Sequence, residues 1–130
     1  MPRFTVSTDA RLSVVDITDS VRDVVADDPS GAGERVCTVF VEHTTAGVVV
    51  NEAESRLLGD MEAYLSQVVP DEQWDHDEID GNADAHLRTL LLGNSVQVPV
   101  VDGELALGTW QSVLLVECDG PRQRTVRVVV

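Results

Sequence analysis

Residues 42–52 read EHTTAGVVVNE, a polar corner set inside the most apolar part of the chain. RVCTVFV precedes it and VVV lies within it, so both flanks read as buried strand. Between the flanks stand His43, Thr44 and Thr45, and directly after them Asn51 and Glu52. Burying a polar group without a partner costs on the order of a few kcal/mol. These side chains therefore need something to bind, either the protein's own backbone or a metal and a substrate. RVCTVFVEH (35–43) is apolar at successive positions, as a strand covered on both faces should be.

Working outward, RFTVST and RLSVVDI read as two short strands forming a hairpin around TDA. TDSVRDVVADD is a short helix, with Thr18 as its cap and Val21, Val24 and Val25 as its apolar stripe. From about residue 52 the period becomes helical: Leu57, Leu58, Met61, Tyr64, Leu65 and Val68 share one face. Glu52, Arg56 and Asp60 lie four apart along another, and Pro70 ends the helix. After the polar loop DEQWDHDEIDG, Asn82 caps a second helix carrying Leu87, Leu90 and Leu91, which Gly93 stops. SVQVPVV, LALGTWQSVLLVEC and RTVRVVV are the closing strands, and Pro99 puts its strand at an edge or a bulge. Strands and helices occur in blocks, which predicts an α+β fold with mostly antiparallel sheet.

A chain of 130 residues without repeats or a linker fits one domain, 1–130. No stretch approaches the ~20 apolar residues of a membrane helix, and the N-terminus has no apolar signal region, so a cytoplasmic location is expected. The balance is 23 acidic to 9 basic residues, net −14, and every basic residue is Arg. Such a surface disfavours nucleic acid and anionic membrane as partners. The absence of Lys excludes a P-loop and a Schiff base. Cys37 and Cys118 sit in apolar runs without metal-ligand spacing and read as buried reduced thiols.

The three histidines carry the sharpest chemical expectation. His43 ends a strand, His76 lies in the acidic loop and His86 borders the buried face of the second helix. Converging neutral imidazoles would make a three-His metal centre with an open position; taken singly they would be packing or surface residues. Glu52 sits where it could be aimed into a cleft, or could merely favour a helix N-terminus by a few tenths of a kcal/mol, ~0.3–1. Arg122 and Arg124 flank Gln123 and point the same way on a strand, where they could hold a phosphate or pair with nearby acids. GTWQ offers the Trp110 indole and the Gln111 amide at a turn into a strand. GxSxG, GxGxxG and HExxH are all missing.

EHTTAGVVVNE, GNADAHL, LLGNSVQVPVVDGELALGTWQ and DGPRQR together closely resemble the YjbQ family, whose members also go by the name secondary thiamine-phosphate synthase. The resemblance runs from about residue 35 to the C-terminus and is most specific over 95–113, whereas the N-terminal strands and helix fit by length and pattern alone. It implies a β-sandwich with about three helices that trimerises about a threefold axis. It also implies an enzyme joining a pyrimidine diphosphate to a thiazole phosphate with release of pyrophosphate. The family's histidines map onto His43, His76 and His86 as metal ligands, its NE onto Asn51 and Glu52, its helix Asp onto Asp60 and its late basic position onto Arg124. Glu52 or Asp60 would then act as general base or ligand orienter. Thr44, Asn51, Trp110, Gln111, Arg122 and Arg124 would hold the substrate. Three imidazoles suit Zn²⁺; Mg²⁺ would accompany a phosphate substrate. Two rivals stand beside this reading: a metal-dependent hydrolase or phosphatase, and a non-catalytic trimeric module that binds a phosphorylated or heterocyclic metabolite.

Overall fold

β3 (Glu34–Val41) and β4 (Ala46–Asn51) flank the polar corner as the sequence predicts, but they belong to different sheets. The corner is where the chain crosses from one sheet to the other. The computed structural model describes residues 2–29 and 31–130. The remaining elements are β1 (Arg3–Ser7), β2 (Ser13–Asp16), α1 (Thr18–Ala26), α2 (Ser55–Val68), a 3-10 turn (Asp75–Glu78), α3 (Ala83–Leu92), β5 (Ser95–Val101), β6 (Glu104–Leu105), β7 (Ser112–Glu117) and β8 (Gln123–Val129). A five-stranded sheet runs β1-β8-β3-β5-β6 and a three-stranded sheet runs β2-β7-β4, with every pairing antiparallel. The α+β class and the sandwich are therefore as expected.

Strand alternation explains how the layers stack. Val113 and Leu115 of β7 point between the sheets with Val48, and there they meet Val39, Val98, Val126 and Val128 of the larger sheet. Val21 and Val25 of α1 pack into the same core. Leu114 and Val116 point the other way, against Leu65 of α2 and Ala85 of α3. The strand covered on both faces is thus β7, not β3. On β3 the inward Cys37, Val39 and Val41 are buried, while Val36 and Phe40 on the outer face are 52% and 37% exposed. Each fully buried Val or Leu is worth about 1.5–3 kcal/mol.

Five local expectations are corrected. β1 and β2 form no hairpin, because β1 pairs with β8 and β2 with β7, in separate sheets. Thr18 does not cap α1: its hydroxyl accepts from Val113 N–H (2.9 Å) and donates to Asp16. Asn82 occupies the N-cap of α3, but Asp77 Oδ1 accepts the Ala83 N–H (3.0 Å) in its place. LALGTWQSVLLVEC is broken, with β6 and β7 separated by a turn. Leu90 and Leu91 face outward, and the buried face of α3 carries Asp84 and Arg88 instead. Arg88 pairs with Asp84 and donates to the Leu65 (3.1 Å) and Val69 (2.7 Å) carbonyls, so it satisfies the end of α2.

Pro99 sits next to where the β5–β6 ladder stops at Val100 and Val101. Its carbonyl accepts from Ala106 N–H (2.8 Å), so its missing donor also faces the side beyond that ladder's end.

Candidate functional site

After Val41 the backbone of the corner is pinned from two sides. Glu42 N–H donates to the Thr125 carbonyl (3.2 Å), and the Thr45 carbonyl accepts from Cys118 N–H (3.1 Å). Above this corner lies a cleft of about 750 Å³. Its walls are residues 42–45, Asp80 and Asn82 on the approach to α3, His86 of α3 itself, and the turn from Asp119 into β8 with Arg122 and Arg124.

The floor is a buried ion pair. Arg124, 2% exposed, donates from Nε to Glu117 Oε1 (2.8 Å) and from Nη2 to Glu117 Oε2, Thr45 Oγ1 (2.9 Å) and the Thr45 carbonyl (3.2 Å). Glu117 also accepts from Thr8 Oγ1 (2.7 Å) and Asp119 N–H (2.9 Å). Burial pushes the Glu117 carboxyl upward, but Arg124, the Asp119 N–H and Thr8 outweigh it and hold the pKa below the ordinary 4.5. Arg122 reaches the neighbouring acid, with Nε to the Asp119 carbonyl (2.8 Å) and Nη2 to Asp119 Oδ2 (3.1 Å). The two arginines do face one cleft, and both are already engaged by acids.

His43 is held by the backbone. Its Nε2 accepts from Thr125 N–H (2.8 Å), which leaves Nδ1 as the protonated nitrogen of the neutral ring. Burial pushes its pKa below 6.5 and Arg124 pushes the same way, against Glu117 and Glu42. His86 lines the same cleft. His76 packs its ring edge-on against His86, centroids 5.0 Å apart. Its Nε2 lies 3.7 Å from Asp80 Oδ2 but makes no hydrogen bond.

These three imidazoles gather on one side of the molecule, yet they do not fit a metal centre as arranged. Among the described residues no group of three or more His, Cys, Asp or Glu could hold an ion. His43 has its unprotonated nitrogen turned to a backbone donor, so ligation from Nδ1 would first require that bond to break. Both cysteines are free and buried; burial raises Cys37 and pushes Cys118 up to about 11, so neither is a ready thiolate.

Of the other expected site residues, one reaches the cleft and the rest lie elsewhere. Thr44 lines the cleft. Asn51 pairs with Ser112 at the far end of the β4–β7 ladder, and Glu52 N–H donates to Asn51 Oδ1 (2.8 Å) there. Trp110 and Gln111 precede Ser112, with Trp110 73% exposed and Gln111 Oε1 accepting from Gly108 N–H (2.8 Å). Asp60 is exposed on α2. Asn51, Glu52, Asp60, Trp110 and Gln111 thus stand outside the cleft, because β4 leads away from the corner. Sequence reasoning missed Glu117, Asp119, Asn82 and Thr8. One signal was available for Glu117: a lone carboxylate inside the apolar run SVLLVEC demands a buried partner.

The model of the family described as UPF0047 protein YjbQ-like matches residues 2–130. The chain belongs to the YjbQ family. A UPF0047 protein of Methanothermobacter thermautotrophicus is 47% identical over 95% of this chain and 85% of its own length. One of Archaeoglobus fulgidus is 46% identical over 96% of both. A crystal structure of a YbjQ-like protein of unknown function from Sulfolobus solfataricus superposes with a TM-score of 0.92 at 40% identity, covering 98% of this chain and 92% of that one. A hypothetical protein from Aeropyrum pernix gives 0.92 at 44% identity, covering 98% and 95%. YjbQ membership thus includes the N-terminal strands and helix, which pattern alone had joined to it.

Proposed function

We propose that this chain is an enzyme acting on a small phosphorylated metabolite in the cleft between the corner and β8. The reaction to test first is the one the family resemblance implies: a thiazole nitrogen attacks the methylene carbon of a pyrimidine diphosphate, the carbon–oxygen bond breaks, and its electron pair leaves on pyrophosphate. One observation carries the reading. Arg122 and Arg124 line the same cleft as His43 and His86, so two guanidinium groups stand beside two imidazoles in a strongly acidic protein. Arg122, the exposed one of the two, would hold phosphate oxygens, and neutral His43 would offer its Nδ1–H to the departing oxyanion. A divalent cation belongs to this proposal only as the counter-ion of the diphosphate.

Favouring a non-catalytic binding module is the paired state of both arginines, with Glu42, Asp80 and Asp119 also on the walls. Calorimetric titration with inorganic phosphate and pyrophosphate, with and without Mg²⁺, followed by an assay for pyrophosphate release from the paired thiamine precursors, separates the readings. Binding with release that Arg122→Ala abolishes supports the enzyme; binding without turnover supports the module; no affinity for either anion ends both.

A homotrimer is part of the same proposal. Supporting it are the exposed Val36, Phe40, Val101 and Val129 on the larger sheet. A monomer by light scattering at micromolar concentration would end it. Among the described residues no helix is long and apolar enough to cross a membrane. A cytoplasmic location remains a proposal, consistent with two free cysteines.

A further inference from the structure

Arg122 and Arg124 stand close together in the cleft wall, yet they are held differently. Arg124 is buried, with Nε and Nη2 engaged by Glu117 and Thr45. The Arg122 side chain is 53% exposed. Its Nε donates to the Asp119 carbonyl (2.8 Å) and its Nη2 to Asp119 Oδ2 (3.1 Å). Nε and Nη2 make up the side edge of the planar guanidinium fork, so a single residue occupies that edge with its backbone and its carboxylate together. The end edge, Nη1 and the outer hydrogen of Nη2, has no protein partner among the described residues.

A clamp holds only if it is itself held, and Asp119 is buried and fastened from several sides. The oxygen that takes Arg122, Oδ2, also accepts from Asn82 Nδ2 (2.9 Å), while Arg11 Nη1 lies 3.8 Å from Oδ1. Asp119 N–H donates to Glu117 Oε2 (2.9 Å). Arg11 is anchored in turn on Asp84 Oδ1 (2.8 Å), a carboxylate buried in α3. The backbone of Arg122 is fixed as well: its N–H donates to Thr8 Oγ1 (2.9 Å) and its carbonyl accepts from Thr8 N–H (2.8 Å). Two mobile surface side chains lose entropy when they pair and gain little. Here the carboxylate is already in place, and both ends of the Arg122 side chain are tied down.

We propose that Asp119 is a positioning residue of the cleft: it clamps the side edge of Arg122 so that the end edge presents two parallel N–H donors to an anion. The inference rests on the phosphate reading of the cleft given above. It gives an acid beside an anion site the task of orienting the cation that binds. Asp119 then has two opposed effects, because its charge repels an anion while its oxygen orients the donor. The two effects are separable, since Arg122 and Asn82 share one oxygen. Asp119→Asn, with its amide oxygen in the Oδ2 position, keeps both bonds and loses the charge. Asp119→Ala loses the charge and both bonds.

The test compares these two variants at equal charge. In calorimetric titration, inorganic phosphate should bind Asp119→Asn about 2- to 10-fold more tightly than Asp119→Ala, the effect of immobilising one long side chain before binding. A second readout needs no ligand: nitrogen-15 spectra of the arginine side chains, with the Arg122 signals assigned by their loss in Arg122→Ala. Rotation about Nε–Cζ exchanges Nη1 with Nη2, so their signals should be separate in wild type and Asp119→Asn and merged in Asp119→Ala. Equal phosphate affinities in the two variants overturn the clamp. So do Arg122 signals that are merged in wild type, or still separate in Asp119→Ala. If Asp119→Ala does not fold, the wild-type and Asp119→Asn spectra decide: separate signals in both support the clamp, and merged signals in either overturn it. Wild type that binds no phosphate while its Arg122 signals stay separate overturns the phosphate reading and keeps Asp119 as the holder of Arg122.

Discussion

The two ends of the β4–β7 ladder are a controlled comparison within one molecule. At one end Ala46 pairs with Glu117, and at the other Asn51 pairs with Ser112, about 17 Å away at ~3.4 Å per residue. Both ends carry motif residues of the family pattern. At the Glu117 end the polar groups are buried and mutually satisfied: Glu117, Arg124, Thr8 and Thr45 form one closed network. At the Ser112 end the side chains stand in solvent, with Trp110 exposed and Gln111 serving its own turn. Membership of one motif therefore does not place residues in one site. The length of the strand between them decides.

The largest effect should come from opening the closed end. Arg124→Ala leaves Glu117 charged and buried, so stability should fall by about 3–5 kcal/mol, a Tm loss of roughly 10–20 °C by calorimetry. An Arg124→Met, Glu117→Leu double variant should recover much of that loss, since an apolar replacement of both partners is often near neutral. A double variant as unstable as the single one would show that Thr8, Thr45 and Asp119 depend on the charges.

Glycines sharpen the contrast next. A Cβ at Gly120 would lie 2.1 Å from the Ala10 carbonyl oxygen and 2.8 Å from Glu117 Cγ, whereas one at Gly108 would meet only the flexible Gln111 side chain, at 3.3 Å. Gly120→Ala should cost at least about 1–3 kcal/mol, and Gly108→Ala should stay within about 0.5 kcal/mol. Equal denaturation midpoints for the two variants would contradict the difference in packing.

Binding tests whether the ends are separate in solution. Trp110→Ala and Gln111→Ala should leave the Kd for inorganic phosphate unchanged, while Arg122→Ala raises it about tenfold or more, as loss of a charge-assisted bond of about 1.5–3 kcal/mol should. If the Trp110 variant weakens phosphate binding as strongly, a neighbouring subunit must carry the far end of its ladder to this cleft.

A smaller effect follows from His43. Its folded pKa is lowered below the ordinary 6.5, first by burial and then by Arg124, so the unfolded chain binds the proton more readily. The stability it contributes is complete above about 6.5 and is lost as pH falls through the lower folded value. Its imidazole resonance should titrate below 6.5; a midpoint at or above that value would contradict the Thr125 contact and the burial. The smallest change expected is a rise in Tm with NaCl. The net charge of −14 repels itself, and the screening length shrinks from about 30 Å at 0.01 M to about 3 Å at 1 M. A flat or falling Tm would mean local compensation by pairs such as Arg127–Glu42 and Arg35–Asp28.

Much of the molecule was legible in order and type. Apolar runs broken by turn residues gave the β3, β5, β7 and β8 segments, helical spacing gave α2 and α3, and the block arrangement gave α+β. These are local properties: period and turn chemistry act within a few residues and leave marks in the string itself. The polar corner at 42–45 and the common orientation of Arg122 and Arg124 were legible for the same reason. Which strand is covered twice, β7 rather than β3, was decided by sheet partners far apart in sequence. So was the fate of β1 and β2, which look like a hairpin but join different sheets. The Arg88 seal on α2, the Thr8–Glu117–Arg124 floor and the backbone donor on His43 all depend on side chains meeting across large sequence separations. The sequence by itself determined which polar groups would need partners; the crossing of the two sheets at the corner decided which partners they found, because burial leaves each such group no choice but the nearest complementary atom.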